Sequence, residues 1–343
     1  MQPARKCFPT LDMIAGIDHT GTMPIRSNPS LAPALVCLGE PMIELNQTDP
    51  GESRWLQGFG GDTSNAAVAA ARQGASVGYV AALGTDTFGD SFVELWQHEG
   101  VDCTAVARRD DGHTAVYFVT HDARGHQFHF LRTGSAASRL GPDDLPRTYL
   151  AGARILHLSG ISQAISPAAR AAGFTAIDIV KAAGGRVSYD TNLRLRLWSL
   201  DLARETIHAA MARADIALPS FEDAEQLTGL SDPDAIADFY LRLGPRIVAL
   251  KLGKDGALMA TPDARQRIPA RPVKAVDATG AGDTFGGAFL ARLLAGDDPF
   301  TAATYANAAA ALKTTGFGAV APIPTREAVE AFLAEGQSPT QRA

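Results

Sequence analysis

The stretch Asp277-Ala278-Thr279-Gly280-Ala281-Gly282-Asp283 sets small residues between two carboxylates and runs at once into an apolar, helix-spaced segment. Small residues let a backbone close on a ligand. The first N–H groups of the following helix have no acceptor within it, and the helix dipole adds positive potential there. Gly280, Ala281 and Gly282 are therefore expected to form an anion site. A carboxylate in that same turn is out of place unless it moves a proton. Asp283 can take one from an attacking hydroxyl. An anion site beside a base is the equipment of phosphoryl transfer. The stretch is not a phosphate-binding G-x-x-x-x-G-K-[ST] loop, which occurs nowhere in the chain, nor does it carry the dinucleotide fingerprint G-x-G-x-x-G.

Two further constellations suit a polar ligand. Gly60-Gly61 precedes Asp62-Thr63-Ser64-Asn65, so paired glycines bring backbone close while Asp62 and Asn65 offer acceptors and donors to hydroxyl groups. By itself this also fits a tight turn with Asp62 as a helix cap. Asp190-Thr191-Asn192-Leu193-Arg194 follows an apolar strand, where open α/β sheets bind ligands, and joins a carboxylate, an amide and a guanidinium. Its plainer reading is a solvated loop with a local salt bridge. Residues 83–89 read as a structural turn. The eight histidines show no metal spacing. His157 lies inside an apolar strand and reads as a hydrogen-bonded core residue, whereas His121, His126 and His129 flank a hairpin turn.

The elements that must carry these residues follow from periodicity and turn chemistry. A strand over 34–39 leads to an extended piece over 40–45. A helix spans 62–73 and ends at Gly74. A strand over 77–82 and a helix over 90–99 follow. Extended segments at 114–120 and 127–132, joined by polar residues 121–126, predict a hairpin. Apolar strands at 155–158, 186–189, 215–218 and 247–250 alternate with helices, the first over 167–183. That alternation predicts the α/β class, with a mostly parallel sheet covered on both faces. The polar hairpins do not fit that layer and predict a small β element with strands from about 40–60 and 114–132.

The chain of 343 residues, 46% of them hydrophobic, can build a sizeable core. A net charge of −6 argues against a nucleic-acid surface. No apolar run reaches the roughly 18–20 residues that cross a bilayer, so no membrane partner is expected. Cys7, Cys37 and Cys103 are odd in number and lack metal spacing, so each is read as a free thiol, in keeping with a cytoplasmic protein. Residues 1–32 read as a poorly ordered extension, 33–335 as the working domain and 336–343 as a flexible tail.

Taken in order, these motifs resemble the ribokinase-like, or PfkB, family of carbohydrate kinases, over about residues 34–330. Within it the 2-keto-3-deoxygluconate kinase branch is most similar. Gly39-Glu40-Pro41-Met42-Ile43-Glu44-Leu45, Arg132-Thr133-Gly134-Ser135-Ala136-Ala137, Leu156-His157-Leu158-Ser159-Gly160-Ile161 and Asp190-x-Asn192-x-Arg194-x-x-Leu197-Trp198 carry that likeness. The last motif is shared with fructokinases. The resemblance implies a three-layer α/β/α domain with a small β-sheet lid, through which subunits pair as a homo-oligomer. It implies ATP and Mg²⁺, with K⁺ as a further ion, and phosphorylation of 2-keto-3-deoxygluconate at its 6-hydroxyl to 2-keto-3-deoxy-6-phosphogluconate. A fructokinase or another sugar kinase of the family is the alternative.

The resemblance also places roles. Substrate contacts fall on Gly61, Asp62, Asn65, Tyr117, Phe130, Arg132 and Arg194, with Phe130 where the family often has Tyr. A planar Arg fork suits a sugar-acid carboxylate and is not needed for a neutral sugar. Nucleotide contacts fall on Asn192, Ser220, Lys251, Gly253, Gly256 and Asn307, with Gly253 and Gly256 in a turn under the phosphates, and residues 316–319 close the pocket. Asp283 is the base, with Gly280, Ala281 and Gly282 as its anion hole. The family's N-x-x-E motif stands here as Ser220-Phe221-Glu222-Asp223, so Asp223 would act on Mg²⁺ through water. Asp277 would neighbour the monovalent cation. Two rivals from other classes are weaker. A non-catalytic scaffold has no physical need for Asp283, and a nicotinamide-dependent oxidoreductase lacks its fingerprint.

Overall fold

Four consecutive apolar residues, Leu35–Leu38, form strand β1 and send alternate side chains to opposite faces of a sheet. Leu35 and Cys37 join a core on one face, while Val36 and Leu38 join a second core on the other. Both faces are therefore covered, as the apolar run requires. The structure is a computed structural model that describes residues 32–47, 51–122 and 125–335. The extension read into 1–32, Ala32 apart, and the tail read into 336–343 lie outside the described residues, as do the side chains of His121 and His126.

The remaining strands, in chain order, are β2 (Met42–Gln47), β3 (Trp55–Gly60), β4 (Val77–Gly84), β5 (Val101–Asp102), β6 (Val106–Arg109), β7 (Ala115–Asp122), β8 (Gly125–Leu131), β9 (Ile155–Ser159), β10 (Arg186–Asp190), β11 (Ile216–Ala217), β12 (Ile247–Lys251), β13 (Ala257–Ala260) and β14 (Arg265–Ile268). The large sheet runs β14-β13-β12-β11-β10-β9-β1-β4-β5, with β6 also on β4. It is parallel from β12 to β5, and at the other edge β13 runs antiparallel to both β12 and β14. Helices Asp62–Arg72, Ala281–Ala295 and Pro299–Lys313 cover one face; Pro167–Ala182, Leu200–Met211 and Pro233–Leu243 cover the other. This is the expected three-layer α/β/α arrangement.

A second sheet, ordered β3-β2-β7-β8, stands apart from the first. β2 pairs antiparallel with β3 and parallel with β7, and β7 pairs antiparallel with β8. Its Val116 and Ile43 enter the main core, whereas Leu56, Phe128, Phe130 and Leu131 stay exposed.

Local chemistry moves some boundaries. The helix expected from residue 90 starts at Thr87, because the Asp86 side chain accepts the Gly89 N–H and caps it. Residues 121, 122, 125 and 126 belong to strands, not to the connection, so the hairpin is tighter than its polar composition indicated. The helix around Asn307 runs from Pro299 to Lys313, with Asp298 as cap and Pro at its first position. His157 is buried and shares a 3.2 Å hydrogen bond with Ser188 Oγ, and His129 is exposed.

Candidate active site

Two helix starts meet at the carboxyl ends of the parallel strands. The helices Asp62–Arg72 and Ala281–Ala295 pack so closely that a Cβ on Gly287 would run into the Ala66 carbonyl oxygen and the Ala69 methyl. Glycine there lets the first turns approach. Asn65 Nδ2 then reaches Asp283 Oδ2 at 2.8 Å. The second glycine that geometry demands is Gly61, at φ 101°, where a Cβ would sit 2.5 Å from the Glu40 carbonyl oxygen.

At the start of the Ala281 helix, the N–H groups of Gly280, Gly282 and Asp283 have no hydrogen-bond partner among the described residues. Ala281 differs from its expected role. Its N–H donates to the Ala278 carbonyl at 3.1 Å and closes the turn, so it does not face a ligand. The Asp283 N–H stands in its place. Three open donors at a helix N-terminus are an anion site. The Lys251 ammonium adds charge, since a Cβ on Gly282 would lie 3.5 Å from it.

The same turn carries the carboxylate. Burial pushes the Asp283 pKa up to about 7, and the nearby Asp62 and Asp190 charges add to the rise, while the Asn65 bond and Lys251 oppose it. Burial also raises Asp190, against the pull of its ion pair with Lys251. Asp62 Oδ2 accepts from Asn192 Nδ2 at 2.8 Å. Asn192 holds φ 24°, a conformation non-glycine residues seldom adopt. Asp62 Oδ1, Asn65 Oδ1 and Thr284 Oγ1 are buried polar atoms without a partner among the described residues. Such atoms are costly to leave unmet, so they fit a ligand that supplies hydroxyl groups.

Behind this cluster, Asp223 Oδ2 accepts from Leu193 N at 3.0 Å and Thr191 Oγ1 at 3.3 Å. It fixes the loop after β10 with one oxygen. Ser220 caps the helix Phe221–Thr228 through the Asp223 N–H. Among the described residues, no three His, Cys, Asp or Glu side chains group to hold a metal on their own. That donor set suits magnesium brought by nucleotide phosphates and keeping its waters, with Asp223 at one remove.

The second sheet closes the other end. Arg132 donates through Nε and Nη2 to Glu40 Oε2, and Ser135 Oγ donates to Glu40 Oε1 at 2.6 Å. Glu40 is fully buried, so the Arg132 fork expected to await a ligand carboxylate is already engaged, with Nη1 left over. Arg132 also lies over the Phe130 ring. Tyr117 OH donates to buried Glu44 at 2.5 Å, and burial raises its pKa. Arg194 is exposed, and among the described residues its side chain donates to one atom, its neighbour's carbonyl oxygen, Leu193 O.

On the remaining side, Gly253 and Gly256 shape the turn between β12 and β13, where the Leu252 N–H meets the Gly256 carbonyl. Asn307 Nδ2 donates to Pro269 O at 2.9 Å. Burial would raise Asp277, yet the Thr279 and Gly318 N–H groups, each 2.9 Å away, and Lys313 hold it below the usual carboxylate range. Lys313 is buried with Nζ 3.0 Å from the Asp277 carbonyl oxygen.

Sequence reasoning missed Glu40, Glu44 and Lys313 as site residues. The two glutamates were visible as carboxylates inside apolar residues 35–45. Lys313 carried no signal, since a lysine at a helix end is ordinarily a surface cap.

The sequence matches the family described as pfkB family carbohydrate kinase over residues 32–326. It is 34% identical over 311 residues to a 2-dehydro-3-deoxygluconokinase of Thermoproteus tenax, covering 88% of this chain and 94% of the relative. An Escherichia coli protein solved in complex with ATP and Mg²⁺ superposes with TM-score 0.82 at 27% identity, over 88% of this chain and 99% of that one. A double-mutant fructokinase of Vibrio cholerae O395, with fructose, ADP and potassium bound, gives TM-score 0.79 at 31% identity, over 89% and 99% of the two chains.

Proposed function

Because the chain belongs to the pfkB family of carbohydrate kinases, and so uses ATP with Mg²⁺, we propose that it phosphorylates 2-keto-3-deoxygluconate at the 6-hydroxyl. The observation that carries the chemistry is Asp283, a carboxylate of raised pKa beside three unmet N–H groups. Asp283 takes the proton of the sugar hydroxyl as its oxygen attacks the γ-phosphorus. The bond from that phosphorus to the bridging oxygen breaks, and ADP leaves. Gly280, Gly282 and Asp283 N–H groups, with Lys251, hold the charge on the transferred phosphoryl. Asp223 would hold magnesium through water, and the ion would supply positive charge against the nucleotide phosphates. Asp62 and Asn65 orient the sugar through its hydroxyls, and Asn192 holds the Asp62 carboxylate in place.

The sugar acid is supported by the likeness to the Thermoproteus tenax enzyme and by Arg194, whose guanidinium has bonding capacity left. Arg132 contributes through Nη1. Two observations favour fructose instead: Glu40 already neutralises Arg132, as a pocket for an uncharged sugar requires, and the Vibrio cholerae fructokinase is nearly as similar. Parallel phosphorylation assays on 2-keto-3-deoxygluconate and fructose separate the two. A higher kcat/KM on the keto acid is expected; a clear preference for fructose overturns the sugar-acid reading. Arg132→Ala is expected to raise the KM for the keto acid far more than that for ATP, and equal effects would remove Arg132 from the sugar pocket.

The second sheet serves as a lid that excludes water from the phosphoryl group. Its exposed Leu56, Phe128, Phe130 and Leu131 suit a second copy of this chain, so a dimer is expected by gel filtration and a monomer would count against it. Among the described residues no helix is long and apolar enough to cross a membrane. Cys37 and Cys103 are free thiols, which fits a cytoplasmic enzyme.

Potassium, bound in the Vibrio cholerae protein, was expected beside Asp277. The Lys313 ammonium already stands there, so the residues present do not fit a second monovalent cation, which it would repel. Asp277 offers its carbonyl oxygen to Lys313, and both carboxylate oxygens to backbone N–H groups.

A further inference from the structure

Lys313 is the last residue of the helix Pro299–Lys313 and is wholly buried. A buried ammonium is costly unless its charge is answered. Burial lowers its pKa, but the carboxylates of Asp277, Asp283 and Glu44 all act to keep it charged. The helix C-terminus adds negative potential. The helix end is also tied to the catalytic loop, for the N–H groups of Val276 and Asp277 both donate to the Thr314 carbonyl, at 2.7 and 3.0 Å. The ammonium therefore sits where the end of that helix, the Asp277 turn and the Gly318 backbone come together. An apolar side chain of equal length would fill the space without the desolvation penalty. What lysine adds is a fixed positive charge, compact and close to potassium in size.

We propose that Lys313 is a built-in monovalent cation, which holds the Asp277–Gly282 turn in its anion-binding shape and makes this kinase independent of potassium. The inference rests on reading that turn as the phosphoryl-transfer site. Lys313 acts through the loop and is a positioning residue; it touches neither substrate.

The test compares the full chain and the variant Lys313→Ala in potassium chloride and in tetramethylammonium chloride at matched ionic strength. Two readouts are taken: ADP formation and melting temperature. The parent is expected to give the same rate and the same melting temperature in both salts. Lys313→Ala is expected to lose at least about tenfold in rate without potassium, in the range for losing a group that supports a charged site. Potassium should restore most of that rate and raise the melting temperature of the variant alone. Lys313→Met fills the space without charge and should stay slow in both salts. Potassium activation of the parent overturns the inference, as does a rise in its melting temperature, or a Lys313→Ala variant as fast as the parent in tetramethylammonium. If no sugar is phosphorylated, the proposed function fails, yet the melting comparison still decides the role of Lys313. If Lys313→Ala does not fold, the parent alone decides it, by its response to potassium.

Discussion

At the Asp283 end of the site, Gly280, Gly282 and Asp283 keep N–H groups without acceptors among the described residues, and Asp62, Asn65 and Thr284 keep buried oxygens without partners there. At the lid end, Arg132, Ser135 and Glu40 satisfy one another, as do Tyr117 and Glu44. The first region is incomplete without a ligand and so states its chemistry openly. The second is complete alone, so it holds shape and reveals less about what it binds. An unmet polar atom identifies a reaction, whereas a satisfied pair identifies a scaffold on which specificity is built.

The contrast breaks first at Asp283. Asp283→Asn is expected to lower kcat by about 10²–10⁴-fold, the usual contribution of a positioned base, with sugar affinity nearly intact by calorimetry. Turnover close to the parent's would remove the base. At the lid end, Glu40→Ala leaves Arg132 unpaired in a buried place and should reduce stability by about 3–5 kcal/mol in urea melts. A loss confined to KM would show that the pair belongs to the substrate and not to the frame. Between the two regions, Gly287→Val wedges the helices apart and should reduce stability by about 1–3 kcal/mol. It should also slow turnover, because Asn65 is drawn from Asp283; unchanged kcat would uncouple that packing from the base.

Smaller effects sharpen the picture. Arg194→Ala is expected to raise the KM for the sugar acid about tenfold, equivalent to about 1.4 kcal/mol, while leaving stability unchanged. An unchanged KM would take Arg194 out of the pocket. The pH dependence is the finest test. Because the Asp283 pKa is raised to about 7, kcat/KM should fall as pH drops through that value, where an ordinary carboxylate would still be ionised. Asn65→Ala removes the bond that lowers this pKa, so the acid limb should move to higher pH. The stability sign is the reverse. A carboxylate raised on folding disfavours the ionised folded state, so its contribution is lost as pH rises through the folded value. Asp283→Asn should therefore melt above the parent at pH 8, with the gap closing as pH falls; a constant gap would deny the raised pKa.

Particular residues show what could be read without the fold. Asp283 and the glycines before it pointed to an anion site beside a base, which the proposed mechanism uses, because backbone freedom and helix-start donors are local properties. Alternating strands and helices gave the layered sheet for the same reason. Ala281 was misjudged, since whether its N–H points outward depends on how the turn closes onto Ala278. Arg132 offered a free fork on paper, but its partner Glu40 lies 92 positions earlier.

The architecture and the class of chemistry were legible in the chain, because both follow from short-range spacing. Tertiary structure decided which charges are free. It placed Glu40 under Arg132, drew Asp62 and Asp190 close enough to raise Asp283, and buried Lys313 beside Asp277. Charge balance inside a protein depends on distance and burial, and residues far apart in the chain acquire neither until it folds.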